Sequence, residues 1–144
     1  MRAKLLNEGP ERTYALIFET GDEVMKTLQG FAREKQLAGS HFTAIGAFRE
    51  AMLGYYDWEK KDYRRIPVRE QVEVLSLVGD VARDEQGEPK LHAHVVVGKS
   101  DGTAHSGHLI EAVVRPTLEV ILVESPRHLQ RRHDPETGLA LIHV

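Results

Sequence analysis

Apolar and polar residues alternate with a period of two along most of this chain and with a helical period over one stretch only. Thr13 to Glu19 (TYALIFE) is a short run rich in strand formers, and Thr20-Gly21-Asp22 then supplies a break and a cap-like carboxylate. Val24, Leu28, Phe31 and Ala32 follow at three- and four-residue steps, with Gly39 just past the end, which predicts one amphipathic helix. Beyond it the pattern predicts strands at His41 to Phe48 and Ala51 to Trp58, separated by Arg49-Glu50, then at Tyr63 to Ile66 and Gln71 to Val81. Leu91 to Gly98, Thr103 to Ile110 and Thr117 to Glu124 complete the set. Within Gln71 to Val81, Val72, Val74 and Ser76 share one face while Leu75 and Leu77 share the other, so both faces are expected to be partly covered. Asp84 to Lys90 is a polar turn, and Ser125 onward is polar and turn-rich until Leu139 to Val144. One principal helix among about seven short strands predicts an α+β fold with a mainly antiparallel sheet. No internal repeat or low-complexity linker divides the chain, so residues 1–144 are expected to form a single domain, with 1–12 as an N-terminal extension.

The segment with most chemistry is Leu91 to Ile110, LHAHVVVGKSDGTAHSGHLI. Alternation puts Leu91, Ala93, Val95 and Val97 on one face and His92, His94 and Val96 on the other, so two imidazoles stand side by side. Ser100-Asp101-Gly102 fits a three-residue hairpin loop in which Gly102 takes the left-handed position and closes the turn through a bulge. Lys99 then faces Thr103, which sets His94 opposite His108 and leaves His105 facing Val97 on the other surface. A two-residue loop would shift the pairing by one and send His108 to the wrong face. In the expected register His92, His94 and His108 converge within reach of one ion, at Zn–N bonds of about 2.0–2.1 Å. Three histidines with one open position is the arrangement of a catalytic rather than a closed structural zinc site. Nickel, cobalt, iron and copper accept the same ligands, and zinc is the expected ion on availability. An isolated His-x-His is ordinary on half-buried strands, and the third histidine is what favours a metal here. His41, His105, His128, His133 and His143 are read as structural or surface residues.

Composition narrows the choice. The 144 residues include no cysteine, which excludes disulfides, thiolate-bound zinc and a cysteine nucleophile, and leaves eight histidines and the carboxylates to hold any transition metal. Nineteen Lys+Arg against 22 Asp+Glu give a net charge of −3, which argues against a surface that coats nucleic acid while leaving room for a local basic patch. Met1 to Pro10 lacks the apolar core of a secretory signal, and the aliphatic runs Val95 to Val97 and Val120 to Val123 are far too short to span a membrane. A cytoplasmic protein without a membrane partner is expected.

With the histidine hairpin in view, the chain resembles the PPC family, the "plants and prokaryotes conserved" domain, in its free-standing prokaryotic form. The likeness is carried by FTAIGAF at Phe42 to Phe48, EVLSLVGDV at Glu73 to Val81, the LHAHVVVG, DG and SGHLIEAVV pieces between Leu91 and Val114, LEVILVE at Leu118 to Glu124, and RHDPETGL at Arg132 to Leu139. It extends over nearly the whole chain from about Thr13, and the histidine-bearing block is its most specific part. The resemblance implies a mostly antiparallel sheet with a flanking helix, assembled as a homotrimer, and a histidine-ligated metal whose matching positions are His92, His94 and His108. In plants the domain is joined to an AT-hook that binds A·T-rich DNA, and prokaryotic members are often labelled DNA-binding by analogy. No Arg-Gly-Arg-Pro core occurs in this sequence, so the DNA-contacting part is missing and fold membership alone does not carry that role. Ser106 stands where the family more often has a glycine before Gly107.

Arg127, Arg131 and Arg132, with His128 and His133, form the densest basic cluster and are a candidate nucleic-acid patch; the competing reading is a solvated turn paired with Glu124, Asp134 and Glu136. Tyr55, Tyr56 and Trp58 would stack on bases or, more ordinarily, line the core or a subunit interface. Glu111, three residues after His108, is the candidate catalytic carboxylate, although alternation aims it at the opposite face unless Gly107 bulges the strand. Ser106 has no evident base and is discounted as a nucleophile. The expected function is therefore a homotrimer whose three-histidine site binds a divalent metal and a small ligand or anion, with a DNA-associated regulator and a metal-dependent hydrolase as alternatives.

Overall fold

The computed structural model describes residues Met1–Val144. It contains strands β1 (Arg2–Glu8) and β2 (Arg12–Glu19), helix α1 (Val24–Glu34), and strands β3 (Gly39–Asp57), β4 (Asp62–Val68), β5 (Val72–Arg83), β6 (Pro89–Gly98), β7 (Ala104–Glu124), β8 (Gln130–His133) and β9 (Ala140–His143). The architecture is α+β, as the periodicity predicts, and every strand pair is antiparallel except a single parallel contact of β5 with β8 at Arg83 and Gln130.

Two strands are far longer than their sequence patterns suggest. The runs at 41–48 and 51–58 belong to one 19-residue strand, β3, and those at 103–110 and 117–124 to one 21-residue strand, β7. Each stays continuous by absorbing extra residues as bulges, with register shifts in the β3–β7 ladder between Gly46 and Phe48, Phe48 and Glu50, and Met52 and Leu53. The bulges let both strands change partners midway. The first half of β3 pairs with β5 and the second with β4, while the first half of β7 pairs with β6 and its second half with β2. Because β5 also pairs with β6, the ladder β3–β5–β6–β7 returns to β3 and leaves no free edge within that ring.

Where strands pack this closely a side chain does not fit. A Cβ on Gly46 would lie 2.3 Å from the carbonyl oxygen of Thr117, so glycine lets β3 and β7 stay paired through the bulge.

A bulge also changes the reading of β5. The register of β5 against β6 shifts between Val74 and Ser76, which turns Val72, Val74 and Leu77 together into the core and leaves Leu75 57% exposed. The two-faced burial expected for this strand is thus replaced by one buried face. Val24, Leu28, Phe31 and Ala32 of α1 are all buried against the sheet, as their spacing requires. The cap differs from expectation: Glu23 rather than Asp22 accepts the Met25 and Lys26 N–H groups, at 3.3 and 2.5 Å, while Asp22 holds the Glu19 N–H and the N-terminal amine.

The ends of the chain join the sheet. Residues Arg2–Glu8, within the expected extension, pair with β2 as a fully exposed edge strand, and the turn-rich tail folds into the β8–β9 hairpin. Glu124, at the end of β7, is 4% exposed and accepts the Ala38 N–H at 2.9 Å, the Gly39 N–H at 3.3 Å and the Ser40 hydroxyl. It therefore caps the start of β3 instead of pairing with a solvated turn. No helix is long and apolar enough to cross a membrane.

Removing this carboxylate would strand buried donors, whereas truncating a core ring would open a cavity. In urea titrations Glu124→Ala is expected to cost about 2–4 kcal/mol and Phe48→Ala, at a fully buried position, about 3–5 kcal/mol. A Glu124→Ala loss below about 0.5 kcal/mol would show that water replaces the carboxylate at this join.

Candidate metal centre

The histidine cluster follows from one tight turn. Lys99 N–H donates to the Thr103 carbonyl at 2.8 Å, Gly102 N–H to the Lys99 carbonyl at 3.0 Å, and Gly102 sits at φ 82°, where a residue with a Cβ would be strained. The Asp101 carboxylate accepts both the backbone N–H and the hydroxyl of Thr103, at 2.9 and 2.6 Å, and fixes the loop from within. The ladder that leaves this turn pairs Val97 with His105 and His94 with His108. This is the register of a three-residue loop. The ligating atoms of His92, His94 and His108 all lie within 4.8 Å of one another, and Nε2 of His92 is 3.1 Å from Nε2 of His94. Nitrogens on a tetrahedral zinc would be about 3.3 Å apart, so small side-chain rotations are enough to close the set on one ion.

The surroundings keep His92 and His108 neutral, which is the form that binds a metal. Burial, then the neighbouring His92 and His94, pushes His108 down to about 4. Burial lowers His92 as well, followed by His94 and Arg131, against a smaller opposing pull from Asp80. Nδ1 of His108 is buried without a hydrogen-bond partner, an unsatisfied nitrogen whose lone pair an ion would accept. The Tyr63 ring stacks on His108 with centroids 4.5 Å apart and limits its rotation. Gly107 allows the approach, since a Cβ there would fall 2.6 Å from the Gly54 carbonyl oxygen of β3.

The carboxylate beside this cluster is Asp80 of β5. The β5–β6 register sets Asp80 against His92, with Oδ2 3.9 Å from Nδ1. Its other oxygen accepts from the Arg131 guanidinium at 2.5 Å, and Arg131 also donates to the Ala140 carbonyl at 2.9 Å. Sequence reasoning passed over Asp80, yet the polar turn at Asp84 to Lys90 held its signal, because continuing the pairing outward from that turn brings 80 opposite 92. Nothing local pointed to Tyr63 or to the role of Arg131.

The remaining expected residues lie elsewhere. Glu111 is exposed and lines a separate hollow with Glu23, Glu50, Met52 and Arg69, so the structure does not bring it to the imidazoles. Arg131 is 7% exposed and turned onto Asp80, while Arg127 and Arg132 face solution, so the three arginines do not form one patch. Tyr55 and Trp58 are 62% and 54% exposed, whereas Tyr56 donates to the Thr137 carbonyl and packs edge-to-face on Tyr63. Ser106 is exposed and pairs with Val96, two residue pairs from His94 and His108 toward the turn.

Comparison with known proteins agrees with this architecture. The family model of the Plants and Prokaryotes Conserved (PCC) domain matches residues 6–126, and the chain belongs to that family. It is similar to a metal-containing protein of Archaeoglobus fulgidus, with 34% identity over 99% of this chain and 97% of the other and a TM-score of 0.84. A plant- and prokaryote-conserved protein of Pyrococcus horikoshii matches at 32% identity, covering 92% of each chain, with a TM-score of 0.85. A candidate DNA-binding protein of Ralstonia eutropha matches at 30% identity over 91% of this chain and 90% of the other, with a TM-score of 0.84. No curated protein matches this chain.

The burial of Arg131 separates it energetically from the arginines around it. Arg131→Met is expected to destabilise the fold by about 2 kcal/mol in urea titrations, and Arg127→Ala and Arg132→Ala by less than about 0.5 kcal/mol. Equal losses at all three positions would contradict the pairing with Asp80.

Proposed function

We propose that residues 1–144 act as one metal-binding domain that assembles as a homotrimer, each chain holding a divalent ion, zinc, on His92, His94 and His108 and offering its open coordination position to a small ligand or anion. The convergence of the three ligating nitrogens within 4.8 Å carries this reading. The neutral state of His92 and His108 supports it, as does the likeness to a relative described as metal-containing. An imidazole donor set without thiolate suits zinc and also accepts nickel, cobalt, iron or copper. When bound, such an ion polarises a ligand oxygen or lowers the pKa of a bound water. Asp80 would accept the Nδ1–H of His92 and so keep Nε2 free to ligate, with Arg131 holding the carboxylate in place.

Ligand binding is favoured over hydrolysis. A hydrolase needs a base beside the bound water; Glu111 lines another hollow, and Asp80 is engaged by Arg131. A DNA-associated role draws on the Ralstonia eutropha relative, but of the three arginines in the basic cluster only Arg127 and Arg132 are free to meet phosphates.

Assembly is supported by an apolar area on the outer face of the sheet. Ile121, Thr43 and Val78 form one cross-strand row, with Ile45 and Leu75 nearby, and Ile45, Leu75, Val78 and Ile121 are 61, 57, 50 and 46% exposed. Apolar residues clustered in this way mark an interaction surface.

Protein purified without a metal-affinity tag is expected to carry about one ion per chain by elemental analysis. His92→Ala and His94→Ala should carry none, and Asp80→Asn should bind with roughly 10- to 100-fold lower affinity. Equally low metal in wild type and both histidine variants would sink the metal reading. In light scattering the wild type is expected at the mass of three chains at micromolar concentration and Ile121→Lys at a lower mass, whereas a monomeric wild type would sink the trimer.

A further inference from the structure

A hollow of about 510 Å³ opens beside the histidine cluster and shares His92 and Tyr63 with it. It is walled by the tail hairpin on one side and the body of the sheet on the other. Its apolar surface comes from Tyr63, Leu91, Leu139, Ala140 and Leu141, and the guanidinium of Arg131 lies among them, buried to 7% exposure with Nε unpartnered. The volume falls in the range of about 300–1,000 Å³ typical of small-molecule sites.

Charge narrows the class of occupant. Of the other charged groups lining the hollow, Lys90 is paired with Asp84 at 3.4 Å, and Glu85 accepts the His133 backbone N–H at 3.1 Å. Arg131 already serves Asp80 and the Ala140 carbonyl. No second cluster of free cations awaits a polyphosphate, and no unengaged acidic pair awaits a diamine. The chemistry is that of one polar end, at His92, and an apolar body.

We propose that this hollow binds a monocarboxylate with an aliphatic or aromatic body of several carbons, its carboxylate on the ion held by the three histidines and its body against Leu139, Leu141 and the Tyr63 ring. This assignment rests on the metal reading above and adds the ligand class to it. Leu141 supports it from the opposite side: it is 39% exposed on a hairpin that joins the sheet through one parallel pair, and a bound hydrocarbon would cover it.

The test uses protein loaded with cobalt(II), whose visible spectrum reports both occupancy and a change of ligand at the ion, and titrates it with acetate and with hexanoate. Hexanoate is expected to half-saturate the spectral change at about tenfold lower concentration than acetate, a fraction of what full burial of its extra methylenes would give. In Leu141→Asn that ratio should fall toward one, while Leu5→Asn, an exposed leucine on the far edge of the sheet, should keep it. A cobalt spectrum with equal half-saturation for both acids, or a ratio unchanged in Leu141→Asn, overturns the hollow as a ligand site and leaves the metal standing. Failure of wild type to bind cobalt at all overturns the metal reading and this assignment with it.

Discussion

The pairing of His94 with His108 across β6 and β7 is the contact on which the chemistry of this protein turns. Side chains on a strand alternate strictly, so a slip of one residue in that ladder would send His108 into the core face and Leu109 out to solution. Two features hold the register. The Lys99 to Thr103 turn, closed by its own backbone bonds and by Asp101, fixes it at one end. At the other end β7 leaves β6 for β3, where fully buried Leu109 and Val114 anchor it in the core. The imidazoles are thus placed by rigid elements at both ends, which is how a set of metal ligands is kept preorganised.

Around this cluster the fold assembles supports from segments far apart in the chain. Asp80 comes from β5, Tyr63 from β4 and Arg131 from β8, and each constrains a different histidine or its backing. The Arg131–Asp80 pair also ties the tail hairpin to the body of the sheet, which makes that hairpin the outer wall of the hollow at His92. Breaking the pair would loosen the wall and free the carboxylate together, so the stability of the tail hairpin and the shape of the hollow are coupled at one contact.

The apolar area on the outer sheet face lies next to this centre. Val78, half exposed within the apolar area, is the cross-strand partner of His94. A partner chain docked there would lie one strand from the ligands and would shield them from water, strengthening the electrostatics of the site. Inclusion in the family does not by itself define a reaction, because the same fold hosts different roles according to the side chains at its sites.

Much of this was legible in the sequence because it depends on local rules. The period of four apolar residues determined α1 and its buried face, and the length of one loop determined which histidines meet. Bulges hid the true lengths of β3 and β7 and the single buried face of β5, since an inserted residue cancels the alternation from which strands are read. Asp80 was within reach of the same turn arithmetic that located His108. Arg131, Tyr63 and Glu124 were not, because whether a charged or aromatic side chain faces water or a buried partner depends on which distant strand passes beside it. The sequence by itself thus determined the three histidines and their register; only the tertiary path of the sheet decided what backs them, what covers them and where a hollow opens beside them.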